Sequence, residues 1–264
     1  MPEEKRSGQQ PIVAVQGTSS GQSACVRVSP PDGTARDRLR HALHVVLVSG
    51  HKTCDRKRST EMAKCLMLDV DGVLIDGRPT DGQRWDKELE QDLGVPSEAL
   101  INAFFKSQWA EIVVGRKDLL PALGSVLERI APQVKPQELV DYWFKMDSRI
   151  VDDVLADCRA ARCQGIPIYL ATNQEHMRVE HLRRTLALSE EVDGILYSAQ
   201  AGFRKPQAEF FAYAAQATGC QPHDLLLVDD TVANVKAARH EGWEAVHWDG
   251  SETLSMILDR CIRR

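Results

Sequence analysis

The sequence lacks the features of a membrane protein and of a disulfide or zinc scaffold. Its apolar runs, such as Val45–Val48, are far shorter than the roughly 20 residues that cross a bilayer. No apolar core follows the amino terminus, so a secretory signal is not indicated. The seven cysteines are odd in number and scattered, without a CxxC pair. Reduced thiols of this kind are typical of the cytoplasm, where we expect the protein to reside.

A basic overall charge is also missing. The formal net charge is −5, which argues against a nucleic-acid partner, because such proteins are usually basic. The hydrophobic fraction of 43% and the charged fraction of 27% are ordinary for a globular protein. The charge is unevenly spread, since residues 1–61 carry 10 Lys/Arg against 6 Asp/Glu and the remainder carries 23 against 32.

Residues 1–61 differ from the rest in composition. Gly, Ser, Pro, Gln and Arg dominate, and such a stretch buries too little apolar surface to offset its ordering entropy. We therefore expect a disordered extension, with one weakly helical segment at Asp37–Val48. The basic cluster at 51–58 is interpreted as solvated rather than as a contact patch. Because Met62 stands just before the first strand, one hypothesis is that translation begins there.

The chain is organised around an apolar strand, 64–70, that runs into two carboxylates. A strand places residues i and i+2 on the same side, so Asp69 and Asp71 should both project from its carboxyl end. Two like charges this close favour a cation or a proton between them. Gly72 then allows a sharp turn. An ordinary polar turn is the alternative for this stretch considered alone.

From about residue 152 helices and strands alternate, which indicates βαβ units and a doubly wound parallel sheet. The predicted α/β core comprises 62–77 and 149–264, and a helical insertion at 78–148 separates its two parts. The further strands are predicted at 166–171, 194–198, 225–228 and 245–247. The predicted helices are 83–93, 97–107, 117–130, 136–145, 153–164, 175–186, 207–218, 233–241 and one from 252.

Reactive side chains follow the later strands as well. Thr172 and Asn173 end one strand beside a helix start, where backbone N–H groups favour anions, although they could be a simple helix cap. Asp229 and Asp230 end another strand, with Asn234 four residues later. A second acidic pair at the same edge of the sheet supplies hard oxygen ligands that suit Mg²⁺.

A basic loop lies between these two strand ends. Its Lys205 could balance the acidic cluster and hold a phosphoryl group. A single loop lysine is more often solvated, so this residue gains meaning only in combination with the others. Four such signals occur in a consistent order at corresponding strand ends.

With these motifs the sequence resembles the haloacid dehalogenase (HAD) superfamily of aspartate-nucleophile hydrolases over about residues 64–249. In detail it is similar to sugar-phosphate phosphatases and to the amino-terminal phosphatase domain of soluble epoxide hydrolase. The resemblance implies a Rossmann-like core with an inserted helical cap. The four motifs that carry it are Asp69-Val70-Asp71-Gly72-Val73, Ala171-Thr172-Asn173, Lys205-Pro206 and Asp229-Asp230.

The resemblance also implies roles for the two residues of the first motif. Asp69 would attack phosphorus and form an aspartyl-phosphate. Asp71 would protonate the leaving alcohol and then activate water. Mg²⁺ would be held by Asp69, the Asp71 backbone carbonyl and Asp230, with Asp229 acting through water.

The remaining motif residues are implied to bind the phosphoryl group. Thr172 and the Asn173 backbone would contact its oxygens, and Lys205 would neutralise charge. Asn234 would orient Lys205 or the acidic pair.

These roles predict a Mg²⁺-dependent phosphatase, monomeric or homodimeric, that acts on a small phosphorylated metabolite such as a sugar phosphate or a nucleotide. Carbon–halogen cleavage is disfavoured because it needs no acid at Asp71, and dehalogenases of the family lack one there. A phosphomutase of the same fold remains an alternative, since its difference lies in cap residues. A non-catalytic binding protein is a further alternative, although every catalytic residue type is present.

Substrate specificity is expected from the insertion, because the core contacts only the phosphoryl group. Trp109 followed by Gly115 resembles the cap pattern of the sugar-phosphate subgroup. The histidines His176, His181 and His223 are interpreted as structural. The polar and aromatic candidates for lining the entrance are Arg84, Trp85, Trp109, Arg116, Lys117, Trp143 and Lys145.

Overall fold

The computed structural model describes residues 64–262. The predictions for the extension at 1–61, for the helix at 37–48 and for a start at Met62 lie outside these residues. None of the helices within 64–262 is both long and apolar enough to cross a membrane.

Five strands form one sheet in the order β3-β2-β1-β4-β5, and every neighbouring pair is parallel. This arrangement confirms the predicted doubly wound α/β core. The chain moves outward on one side of β1 and then returns to its other side, so the topological switch point lies between β1 and β4. Ligands of open α/β sheets bind outside the carboxyl ends of the strands at such a point. The strands are β1 Cys65–Leu68, β2 Ile168–Thr172, β3 Gly194–Tyr197, β4 Leu225–Asp229 and β5 Glu244–His247.

The strand β1 is buried on both faces, as its continuous apolar sequence requires in a parallel sheet. Leu66 and Leu68 pack with the hydrophobic cluster on one face, and Cys65 and Met67 pack with the cluster on the other. The strand is shorter than predicted, because the backbone turns at Val70, whose carbonyl accepts bonds from the amides of the three residues 73–75.

The second strand begins two residues later than predicted. Pro167 has no N–H to donate to a ladder, although its carbonyl still accepts from the Leu66 amide at 2.9 Å. The strand also extends to Thr172, which is therefore its last residue and not the residue after it.

The predicted helices occur in the predicted order with changes at their ends, and the structure adds short helices that were not predicted, Trp109–Ile112, Leu188–Glu191 and Ser198–Ala201. The helices Ser97–Leu100 and His176–Glu180 continue into π-helical turns at Ile101–Phe105 and His181–Thr185. The first predicted helix, 83–93, is helical only from Leu89 onward. The helices are α1 Leu89–Leu93, α2 Ser97–Leu100, α3 Trp109–Ile112, α4 Leu119–Ile130, α5 Pro136–Met146, α6 Asp152–Cys163, α7 His176–Glu180, α8 Leu188–Glu191, α9 Ser198–Ala201, α10 Ala208–Thr218, α11 Val232–His240 and α12 Leu254–Cys261.

Helices α1 to α5, here called the helical block, enclose a hydrophobic cluster of their own. Its buried members run from Leu89 to Phe144, within the interval predicted for the insertion. Most of these buried side chains are aliphatic, and aromatic rings pack around Trp143, with Trp85 stacked on it at 5.4 Å and Phe105 edge-on to it at 5.3 Å. The block therefore has a core separate from the two that cover the sheet.

The chain enters and leaves the helical block side by side. The Asp76 amide donates to the Arg149 carbonyl at 3.0 Å, and the Val151 amide donates to the Leu74 carbonyl at 2.9 Å. The Arg149 guanidinium also pairs with the Asp76 carboxylate at 2.7 Å. These bonds join the two connections, here called the paired linkers, 74–77 and 149–151.

The two-sided burial of β1 predicts a large cost for shortening its side chains. Replacing Met67, which is fully buried, with alanine should lower the free energy of unfolding by about 2–5 kcal/mol through lost packing and a cavity. The matched substitution at Met256, which is 55% exposed, should change it by less than about 0.5 kcal/mol. Urea unfolding of both variants measures the difference, and equal losses would contradict the assignment of β1 to the core.

Candidate active site

Three carboxylates meet at the carboxyl ends of β1 and β4. Asp69 directly follows β1, while Asp229 ends β4 and Asp230 follows it. One oxygen from each of the three lies within 4.8 Å of the others. The parallel register pairs Leu68 with Val228, so the residues that come next in both strands must emerge together.

A buried ammonium group lies between two of these carboxylates. The Lys205 Nζ is 2.9 Å from Asp69 Oδ1 and 2.6 Å from Asp229 Oδ2, and it also donates to the Ala171 carbonyl at 2.6 Å. Burial alone would lower the Lys205 pKa, but Asp69 and Asp229 outweigh it and the pKa is raised. The side chain is therefore held as a cation inside the site rather than solvated.

The carboxylate of Asp229 is fully enclosed and hydrogen-bonded on every side. The Asn234 amide donates to its two oxygens at 3.0 and 3.1 Å, and the Thr231 backbone N–H donates to Oδ1 at 2.8 Å. The sequence left Lys205 and the acidic pair open as partners of Asn234, and the bonds in the structure are to Asp229 of that pair. Asn234 lies in the first turn of α11, which explains how a residue five positions away reaches Asp229.

Asp69 is buried, and its neighbours act on it in opposite directions. Burial raises the pKa of its carboxyl, the Lys205 ammonium opposes this, and Asp229 adds to it. The Val70 backbone N–H donates to Asp69 Oδ1 at 2.7 Å, so both this bond and the lysine contact engage the same oxygen.

Asp230 lies against the backbone that follows β1. Gly72 has φ of +77°, and a Cβ atom there would lie 2.3 Å from Asp230 Oδ2. Only glycine allows both this conformation and this approach. Burial, and to a lesser extent Asp229, raise the pKa of the Asp230 carboxyl. The backbone carbonyl of Asp230 accepts a hydrogen bond from the His247 ring at 2.8 Å.

Asp71 stands at the mouth of the site and remains exposed to solvent. The Gln174 Nε2 donates to its Oδ2 at 2.6 Å. Desolvation by the surrounding protein raises the pKa of the Asp71 carboxyl, against the opposing effects of the buried Arg178 guanidinium and of the Gln174 bond. The carboxyl is thus distinct from Asp69, since it has no direct lysine partner among the described residues.

The second and third motifs are joined to each other. The Asn173 side chain donates to the Lys205 carbonyl at 2.9 Å and accepts from the Lys205 backbone N–H at 2.8 Å. Thr172 is buried at the end of β2, beside β1. The Asn173 side chain is thus engaged with Lys205 through both its oxygen and its nitrogen.

Two of the expected entrance residues line a cavity beside the first of the paired linkers, 74–77. The cavity has a volume of about 330 Å³ and is lined by Arg84 and Trp85 together with Asp76, Gly77, Gly82 and Asp147. Burial and the nearby Asp71 raise the pKa of Asp147 to about 6. Lys117 lines a second cavity of about 300 Å³ beside His176.

The other expected entrance residues have different surroundings. Trp143 is 7% exposed and packs inside the helical block, where Trp109 lies against it at 5.6 Å. Arg116 is exposed and pairs with Glu111 at 3.5 Å, and Lys145 is exposed near the end of α5.

The three histidines lie outside the carboxylate cluster. The His176 ring is 3.3 Å from the Tyr197 hydroxyl, and the His181 ring packs on Phe144. His223 is exposed.

Two residues that contribute to the site were missed in the sequence. Gln174 directly follows the second motif, and that adjacency was a usable signal. Arg178 is 1% exposed and binds the backbone carbonyls of Phe144 and Asp147 at the end of the helical block. Nothing in its local sequence distinguishes it from a solvated arginine on a helix.

The family model of the haloacid dehalogenase-like hydrolases matches residues 63–242, which include every carboxylate described above. The chain belongs to this family. The sesquiterpene phosphatase astK of Aspergillus oryzae is 30% identical over 104 residues, which is 39% of this chain and 53% of that protein. The fructose-1-phosphate phosphatase YqaB of Escherichia coli is 27% identical over 192 residues, which is 69% of this chain and 94% of that protein.

Solved structures of this family share the fold. The HAD family enzyme bt-2542 of Bacteroides thetaiotaomicron, in complex with magnesium and inorganic phosphate, superposes with a TM-score of 0.61 at 19% identity, covering 74% of this chain and 98% of that one. A HAD-like hydrolase of Porphyromonas gingivalis gives 0.64 at 20% identity, covering 77% and 100%. The predicted enzyme class, a HAD-like phosphoric monoester hydrolase, is confirmed by the family match together with these phosphatase relatives.

The buried lysine contact predicts a large stability loss on its removal. Lys205→Met should lower the free energy of unfolding by about 3–5 kcal/mol, because Asp69 and Asp229 would lose their buried counter-charge. Lys87→Met removes an exposed contact to Asp81 and should cost less than about 1 kcal/mol. Denaturant unfolding in EDTA compares the two, and similar losses would show that Lys205 is not a buried partner.

Proposed function

We propose that the protein is a Mg²⁺-dependent phosphatase that hydrolyses the phosphate ester of a small metabolite through an aspartyl-phosphate on Asp69. The observation that carries the proposal is the cluster of Asp69, Asp229 and Asp230 within 4.8 Å, with Asp71 two residues from the nucleophile. Lys205, buried against two of these carboxylates, supplies the positive charge that an incoming phosphate requires.

The donor set fits a hard divalent cation. All three clustered ligand atoms are carboxylate oxygens, which Mg²⁺ prefers, and Lys205 neutralises only part of their charge. We assign Asp69, Asp230 and the Asp71 backbone carbonyl as ligands, with Asp229 acting through water. The bound ion would reduce the repulsion between the anionic nucleophile and the anionic phosphate.

In the first step an oxygen of Asp69 attacks phosphorus and the ester P–O bond breaks. Asp71 donates its proton to the leaving oxygen, so an alcohol departs and the phosphoryl group remains on Asp69. In the second step water attacks the phosphorus and gives its proton to Asp71. Inorganic phosphate leaves, and both carboxyl groups return to their starting states.

Binding of the transferred group is assigned to the second and third motifs. Thr172 and the Asn173 backbone would bind phosphoryl oxygens at the end of β2, and Lys205 would offset their charge. The link between Asn173 and the Lys205 backbone supports this assignment, because it fixes the two motifs relative to each other.

We further propose that the helical block acts as a cap and selects the substrate. The cavity at Arg84, Trp85 and Asp147 combines charged groups with an indole, a lining suited to a polar metabolite such as a sugar phosphate or a nucleotide. Relatives include a fructose-1-phosphate phosphatase and phosphoglycolate phosphatases. The cytoplasmic location and the monomeric or homodimeric state stay predictions.

The nucleophile assignment predicts that Asp69→Asn stops catalysis. Phosphate release from 4-nitrophenyl phosphate with Mg²⁺ should fall more than about a thousandfold, the scale expected when a reacting group is removed. Asp118→Asn, at an exposed aspartate, should keep wild-type activity. Undiminished turnover by Asp69→Asn would refute the mechanism. Conversion of a sugar phosphate into its isomer with little phosphate release would instead indicate a mutase.

The metal assignment predicts that EDTA abolishes phosphate release and that added Mg²⁺ restores it. Asp230→Asn lacks one anionic ligand and should therefore require a higher Mg²⁺ concentration for half-maximal activity. For the same reason the variant should lose the rise in melting temperature that Mg²⁺ is expected to give the wild type. Asp118→Asn again serves as the control. Full activity in EDTA would contradict the metal requirement.

A further inference from the structure

We propose that Gln174 is a positioning residue for Asp71, because its side chain determines which oxygen of that carboxyl carries the proton given to the leaving group. The inference rests on the proposed function, in which Asp71 is the general acid. It adds a residue outside the four motifs that identify the family.

The contact itself defines the proton position. Gln174 is 3% exposed, and its Nε2 lies 2.6 Å from Asp71 Oδ2. A carboxamide nitrogen can only donate a hydrogen bond, so Oδ2 must accept whether or not the carboxyl is protonated. In a protonated carboxyl the carbonyl oxygen is the stronger acceptor, so the Gln174 bond favours Oδ2 as that oxygen and the transferable proton on Oδ1.

The backbone of Gln174 is fixed by the start of α9. Its carbonyl oxygen accepts from the Ala199 backbone N–H at 3.2 Å and lies 3.1 Å from Ser198 Oγ. The same buried hydroxyl is 2.5 Å from the Val113 carbonyl in the helical block, so its single proton lies between two carbonyl oxygens. Because the Gln174 side chain is itself 3% exposed, most of its rotamer freedom is already lost on folding, and holding Asp71 costs little more.

A hydrogen bond that only supports the fold would have the same geometry. Esters with different leaving groups distinguish that structural role from proton positioning. Breaking the P–O bond of phenyl phosphate requires a proton for the leaving oxygen. The same step with 4-nitrophenyl phosphate requires it far less, because nitrophenolate is a stable anion. Loss of proton positioning should therefore affect the two esters unequally, whereas a loosened fold should affect both alike.

The test compares kcat/KM of Gln174→Met for these two esters with Mg²⁺ present. The value for phenyl phosphate should fall at least about tenfold more than that for 4-nitrophenyl phosphate, a part of the 10²–10⁴-fold that acid catalysis typically supplies. Since kcat/KM reports events up to the first irreversible step, hydrolysis of the aspartyl-phosphate does not enter the comparison. Gln174→Asn, which keeps the amide but shortens its reach, should show the same selective loss if the methionine variant does not fold.

The matched control is Gln137→Met. The Gln137 amide also donates to a carboxylate, that of Asp141 at 2.8 Å, but this pair lies on the exposed surface of α5. It should change neither value. Equal losses of kcat/KM on both esters, or no loss, would overturn the positioning role. The phosphatase proposal would still hold in that case if the wild type hydrolyses the esters and Asp69→Asn does not. Absence of phosphate release by the wild type would overturn both proposals.

Discussion

The contact of Lys205 with Asp69 and Asp229 is the constraint on which the site depends. It joins the ends of two neighbouring strands to the loop before α10. Three carboxylates within 4.8 Å would repel each other strongly in an enclosed space without a cation among them. The lysine supplies one positive charge as part of the chain and leaves a net negative site. That residual negative charge is what the proposed divalent ion would offset.

Much of the site followed from the sequence, because strand ends obey simple geometry. Asp69, Asp71, Asp229 and Asp230 follow apolar runs that must be strands, and parallel strands end at one edge of the sheet. Gln174 and Arg178 could not be assigned in the same way. Their roles depend on contacts with Asp71 and with the helical block, which arise only once distant segments pack together.

The helical block was predicted less closely than the core. The helix expected at 83–93 begins only at Leu89, because side-chain contacts hold the preceding residues in turns. Arg78 pairs with Glu88 at 2.5 Å and Arg84 pairs with Asp86 at 3.0 Å. Such pairs compete with regular helix and leave no periodic pattern in the sequence. Trp143 illustrates the other limit, since an aromatic residue of an insertion can line a pocket or fill a core, and here it is in the core.

The paired linkers have a consequence for how the molecule assembles. Because 74–77 and 149–151 are hydrogen-bonded side by side, the two ends of the insertion leave the core next to each other, as the two strands of a hairpin would. Closing the insertion costs conformational entropy, and this cost grows only slowly with the number of residues in the insertion. The sheet can accept an insertion of another size or sequence at this point without altering its own strands. Evolution can thus change the insertion and retain the sheet together with the carboxylates at its edge.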